Sequence, residues 1–291
     1  WTQIEGLVGQ KGILPVESYL KDAQIRWGPE RFWNQPTLFW LYAGDGFLRA
    51  VCLFGAGASL LVMANRATVA GLLVTWALYL SLFHVSQPFL GFQWDTLLIE
   101  TGFLALFLVP WGRHKGEDPP PSRITLFLFR FLLFRVVFSS GLVKILSQDP
   151  SWRDFTALYY HYETQPLPTL IGWYAHQLPH GFQAFSVACV FMIQFGVAFL
   201  IFGPRRIRYM GCAVLVFFEG LIFLTGNYCF FNLLTIALCL LLLDDSVYSR
   251  WLPKSWKVSR LKEETVWKKR LSAGMGAGAL VICIMLYVIP L

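Results

Sequence analysis

Three residues in this chain have side chains and spacing suited to proton chemistry at one place: Lys144, His161 and Glu163. Lys144 ends an apolar run, one turn after Ser140 and Gly141. Partial loss of water there would lower the amine's basicity and let it serve as a base. The simpler reading has its ammonium snorkel to a membrane interface. His161 and Glu163 are candidates for an acid–base pair, although a histidine among tyrosines is also a good structural hydrogen-bonding group. Both belong to a loop motif of Tyr160, His161, Tyr162, Glu163, Thr164, Gln165 and Pro166. Pro166 and Pro168 close that motif in an extended geometry, because each fixes its own φ and pushes its predecessor out of the helical region. A second polar motif lies in TGNYCFFN: Gly226, Asn227, Tyr228, Phe231 and Asn232, read as a hairpin with Gly226 and Asn227 forming the turn. Nucleotide-binding loops, HExxH helices and GxSxG elbows do not occur, so no metal and no cofactor is predicted.

The elements that must position these groups follow from composition. Apolar residues make up 56% of the 291 and charged residues only 14%, against about 25% charged in a soluble domain. That excess, with 26 Phe and 12 Trp, marks an integral membrane protein with aromatic interfaces. The net charge of +7 does not indicate nucleic acid as a partner, because the basic residues cluster in loops that flank apolar spans. All six cysteines lie in apolar stretches without CxxC pairs, as small packed hydrophobes do.

The predicted fold is all-α: a polytopic transmembrane helical bundle of about eight membrane segments with polar lumenal loops. Spans are predicted over 43–63, 68–86, a short stretch ending at Pro110, 124–146, 182–202, a run after 203–208 ending at Leu224, a short segment within 228–243, and 271–289. Segment 1–42 is read as extracytoplasmic and interfacial, marked by Trp27, Phe32, Trp33, Phe39 and Trp40. The transmembrane domain, 43–291, carries a lumenal loop at 147–181 and a basic cytoplasmic segment at 244–270. With that orientation 15 basic residues face the cytoplasm and 5 the opposite side, as the positive-inside rule requires. A start at Trp1 and an end directly after the last apolar run lead us to expect further residues upstream and a soluble domain downstream, both outside this chain.

Asp45, Arg49, Asp95, Glu100, Arg130, Arg135, Lys144 and Glu219 lie in or beside the spans. Each costs about 2.5–3.5 kcal/mol at a helix centre, so lipid exposure without a partner is excluded. Two arrangements meet that demand. One pairs the charges internally, Asp45 with Arg49 and the acids of the third and sixth spans with the arginines of the fourth. The other lines a polar cavity that opens beneath the 147–181 loop.

Four blocks carry a family resemblance: FQWDTLLIETGFLALFL (92–108), LLFRVVFSSGLVKI (132–145), WRDFTALYYHYETQPLP (152–168) and TGNYCFFNLLTIALCLLLLDD (225–245). Together they resemble the lipase maturation factors over nearly the whole chain. The resemblance implies a membrane-embedded folding factor for secreted lipases or other secreted clients, without an enzymatic site. Its partners would be the bilayer, those clients and other membrane subunits. A eukaryotic member would reside in the endoplasmic-reticulum membrane, a bacterial one in the inner or plasma membrane. A shorter likeness, Gly141 to Lys144 followed by Trp152, is to the membrane domain of vitamin K-dependent γ-carboxylases. It implies Lys144 alone as a base; the alternative that rests on it is a membrane enzyme with a lumen-facing pocket acting on a quinone- or lipid-like substrate, with His161 or Glu163 read as assisting. A transporter is disfavoured, because no internal repeat is visible.

Overall fold

The computed structural model describes residues 1–109, 121–248 and 274, and among these it contains helices and no strands. The chain divides into two compact units, Trp1–Pro121 and Ser122–Leu291.

The first unit contains α1 (Ile4–Val8), α2 (Val16–Trp27), α3 (Arg31–Asn34), α4 (Asp45–Met63), α5 (Thr68–Val85) and α6 (Gln93–Ala105). Among its described residues only α4 and α5 are long and apolar enough to cross a bilayer, and most of their residues are not buried within the protein. That is what a lipid-facing pair requires, since a helix satisfies its own backbone polar groups. They turn back on each other through Asn65 and Ala67, both at positive φ. Gly71 lets them approach closely: a Cβ there would lie 2.5 Å from Val62 Cγ2. At 13 residues, α6 is about 20 Å long, short of the ~30 Å hydrocarbon thickness.

Segment 1–42 folds over the ends of α4 and α5. Val8, Val16, Leu20 and Phe39 join Leu48, Val51 and Val85 in one core. Phe39, expected at the interface, is therefore a core residue, whereas Trp33 and Phe32 are exposed. Polar contacts fix the segment: Thr37 Oγ1 donates to Ser81 O at 3.0 Å, and His84 Nδ1 meets Gln35 Oε1 at 2.9 Å. The expected pairing of Asp45 with Arg49 is not formed. Arg49 forms its ion pair with Glu5, and Asp45 accepts from the Gln10 amide at 2.7 Å. Folding α1 onto the start of α4 offers each charge a better-placed partner than its neighbour one turn away.

The second unit contains α7 (Arg123–Leu146), α8 (Pro150–Arg153), α9 (Ala157–Thr164), α10 (Leu170–His176), α11 (His180–Phe191), α12 (Arg205–Thr225), α13 (Phe231–Leu240) and α14 (Asp245–Tyr248). The α11 helix continues through a widened π turn at Met192–Gly196 and tightened turns at Val197–Phe202. Together with α4 and α5, α7, the continuous 180–202 segment and α12 make five helices of crossing length among the described residues. Of the α7 residues, Phe127, Phe134 and Phe138 stack in edge and tilted geometry against Phe195, Phe199 and Phe202. Gly141 continues this seam, with room for no Cβ beside the Phe195 ring. The 147–181 loop is largely helical, because Asp149 and Thr169 cap α8 and α10 with their side chains. The eighth predicted span, 271–289, and most of the basic segment, 249–270, lie outside the described residues.

Asp95 in α6 is fully buried, and accepts from Tyr79 Oη at 2.6 Å and from the Phe92 amide at 3.1 Å. Tyr79→Phe leaves that carboxylate one donor short. It should lower stability by about 1–3 kcal/mol, seen as a reduced midpoint of thermal unfolding in detergent with the helical spectrum of the folded protein unchanged.

Candidate functional site

The two polar motifs meet at the end of α12. A helix leaves its last four carbonyls without intrahelical donors, and here side chains from the 157–176 region supply them. Gln165 Nε2 donates to Thr225 O at 3.1 Å, and Thr169 Oγ1 donates to Leu224 O at 2.8 Å. Thr169 also accepts from the Gly172 amide at 2.9 Å, so one hydroxyl both starts α10 and ends α12. Close approach is built in with glycines: a Cβ on Gly172 would lie 2.6 Å from Thr225 O, and one on Gly226 would lie 2.6 Å from the Tyr228 ring. The third tie is a 3.1 Å hydrogen bond between Tyr228 Oη and His161 Nε2.

Beneath this latch lies a polar cluster on α7, α12 and α13. Glu219, 4% exposed, accepts from Asn232 Nδ2 at 2.7 Å. Asn232 Oδ1 is buried with no hydrogen-bond partner among the described residues. Lys144 folds back along its own helix, with Nζ donating to Ser140 O at 2.8 Å and lying 5.1 Å from the Trp152 ring centroid. It does not snorkel outward. Its charge acts on both Glu219 and His161. Of the acids in the third and sixth spans, Asp95 accepts from Tyr79 and Glu219 from Asn232, a neutral donor in each case.

His161 is neutral at physiological pH. Burial lowers its pKa below the ordinary imidazole value, and the Lys144 ammonium lowers it further. Burial raises the Tyr228 phenol, and neighbouring Tyr162 adds to the rise, so that phenol stays protonated. A neutral imidazole can accept the phenol's proton donation at Nε2.

The expected acid–base pair of His161 and Glu163 is not assembled. Residues two apart on a helix do not face each other. Glu163 is exposed and approaches His176 Nε2 at 3.6 Å, whereas His161 faces Tyr228. Tyr160 and Pro166 are exposed, Thr164 bonds back to Tyr160 O, and Tyr162 packs against a small core of Ala157, Leu158 and Val187. In the second motif, Gly226 and Asn227 do not form the turn. Gly226 is extended, and the positive φ falls on Cys229. Phe231 starts α13 and Asn232 points to Glu219. Arg135 is half-buried, as are Glu100 and Arg130. Thr169, Thr225 and Trp152 belong to the site but not to the predicted set. Thr169 stood directly before a short apolar run, the position of an N-cap.

Five helices long and apolar enough to cross a bilayer among the described residues define the class: a polytopic α-helical integral membrane protein. Residues 1–250 match the lipase maturation factor transmembrane domain. The chain is 44% identical to lipase maturation factor 2 of Xenopus laevis, over 84% of this chain and 36% of that protein. Against human lipase maturation factor 2 the identity is 41%, over 94% and 41%. Against bovine lipase maturation factor 1 it is 33%, over 91% and 48%. The chain belongs to the lipase maturation factor family. It spans less than half the length of these relatives. No solved structure matches it. The γ-carboxylase likeness of the Gly141–Lys144 stretch gains no support from these matches.

Because the folded state keeps His161 neutral while the unlatched chain protonates it near pH 6.5, lowering the pH favours the unlatched state. The contribution of His161 is fully present above about pH 6.5 and declines as the pH falls towards its lower folded pKa. Hydrogen exchange of residues 157–176 should accordingly quicken between pH 7.5 and 5.5, and His161→Gln should flatten that dependence.

Proposed function

We propose that this chain is the membrane-embedded part of a folding factor for secreted lipases, acting from the lumenal or extracytoplasmic side. In a eukaryotic host the bilayer would be that of the endoplasmic reticulum, where such clients fold; in a bacterial host it would be the inner membrane. Family membership supports the lipase client, since the named relatives are themselves called lipase maturation factors. The observation that carries the reading is the outer surface of the latched cap. Tyr160, Leu167, Leu170, Trp173 and Tyr174 are each more than half exposed there. Their backbone is held by the ties to α12. A preordered apolar and aromatic patch is suited to holding incompletely folded chains, because the entropy of ordering it has been met before the client arrives.

The role this assigns to the buried cluster is mechanical. Lys144, Glu219 and Asn232 hold α7, α12 and α13 in register, so that the carbonyls of α12 present themselves to Gln165 and Thr169. No bond-making step is needed for that task.

Co-expression with a secreted lipase separates this from the enzymatic alternative. Trp173→Ala with Tyr174→Ala should lower lipase activity per secreted lipase molecule at least threefold, with the membrane level of the protein unchanged. Lys144→Arg keeps a cation opposite Glu219 but removes a usable base, and should leave lipase activity within about twofold of wild type. An inactive Lys144→Arg protein at normal membrane level, together with a fully active double variant, would overturn the proposal.

A further inference from the structure

The opposite end of the second unit carries a cluster that neither the family assignment nor the client-facing reading uses. Three arginines converge there from two helices. Arg208, at the start of α12, donates through Nε to Leu242 O at 2.8 Å and through Nη2 to Asp244 at 2.7 Å. Arg205 also reaches Asp244, at 2.9 Å, and contacts Ser246. The Tyr209 hydroxyl accepts from the Asp244 amide at 3.1 Å. Arg130 of α7 stands close enough for the charges of Arg208 and Asp244 to act on it. Its Nε is buried and has no hydrogen-bond partner among the described residues.

Charge does not balance at this place. Among the described residues, the elements packed around it bring Arg123 and Arg130 from α7 and Arg205, Arg206 and Arg208 from α12, against Asp244 and Asp245 beyond α13. Asp244 is shared by Arg205 and Arg208, and the Nε of Arg130 is left without an acceptor among the described residues. A guanidinium presents donors in a planar fork that suits a two-oxygen anion. A buried donor on that fork with nothing to bond is costly, and each such group calls for an explanation.

The depth of the cluster narrows the ligand. Arg130 lies seven residues into α7, but the charges that act on it are those of Arg208, in the first turn of α12, and Asp244, just past the end of α13 at Leu240. It therefore sits level with the ends of two helices, where a bilayer places its headgroups. This is also the side on which the loops concentrate Lys and Arg, the cytoplasmic side by the positive-inside rule. Basic pockets between transmembrane helices on that side recognise anionic headgroups. We infer that Arg130, with Arg208 and Arg205 beside it, forms a binding site for the phosphate of an anionic phospholipid in the cytoplasmic leaflet.

The full chain, purified in detergent and offered mixed vesicles of phosphatidylglycerol and phosphatidylcholine, tests this by native mass spectrometry. Wild type should retain phosphatidylglycerol in preference to phosphatidylcholine. Arg130→Gln should reduce that retention about tenfold, the order expected for losing one charged fork. Arg153→Gln, on α8 in the 147–181 region at the capped end, should stay within about twofold of wild type. Arg130→Lys keeps the charge without the fork and should fall between the two, which guards against a folding defect in Arg130→Gln. Equal retention of the two lipids, or unchanged preference in Arg130→Gln, would overturn the site. Retention of inorganic phosphate without lipid preference would overturn the lipid as its source.

Discussion

The carbonyls left over at the C-terminal end of α12 are the constraint around which the second unit is arranged. Water cannot be relied on to satisfy them at a membrane surface packed with aromatic side chains, and an orphaned carbonyl there would cost about 1–3 kcal/mol. The chain meets the demand with Gln165 and Thr169, brought from some 55–60 residues earlier in sequence. Once those donors are committed, much else follows. Pro166 and Pro168 must keep the connection between them extended, Gly172 must lack a side chain, and Tyr228 must swing back over Gly226 to reach His161. The 157–176 segment is thus a cap whose position is set by the helix it terminates.

How far this was readable from the sequence depended on the range of the interaction. The long spans were legible to within a few residues because an apolar run of about 20 has few other outcomes. The two polar motifs were legible as unusual, since each combined hydrogen-bonding groups with membrane-grade surroundings. That they touch was not legible, because nothing in either motif specifies a partner more than 50 residues away. The same limit explains the charges. Asp95 was visibly in need of a partner, but Tyr79 lies on another helix and looks like any interfacial aromatic. Glu219 and Asn232 are 13 residues apart across a turn, so both could be singled out without the bond between them being visible.

Local signals were also passed over. Asp149 before Pro150, and Thr169 before a short apolar run, are ordinary helix starts. Reading 147–181 as a plain loop gave too much weight to its polarity. The assignment of the turn in TGNYCFFN to Gly226 and Asn227 failed for a related reason. Glycine was required there for close approach to the Tyr228 ring, while the left-handed residue is Cys229. A glycine in a polar connection therefore has two physical explanations, and only the packing around it decides between them.

The two ends of this bundle use different chemistry to hold their helices, and that difference bears on what each end can do. At the capped end the ties are made by neutral groups: an amide, a hydroxyl, a phenol and an imidazole kept uncharged by burial and by Lys144. Such bonds are directional and insensitive to salt, so they fix the shape of a surface without giving it a strong field. At the other end arginines share one aspartate. A cluster of that kind sets up a field that extends beyond its own contacts and attracts anions of the membrane. Shape on one side and charge on the other match the proposed division between a client-facing surface and a headgroup-facing one. Between them, the bond from Asn232 to Glu219 ties α13 to α12, and a slip of one helix past the other would strand that buried carboxyl.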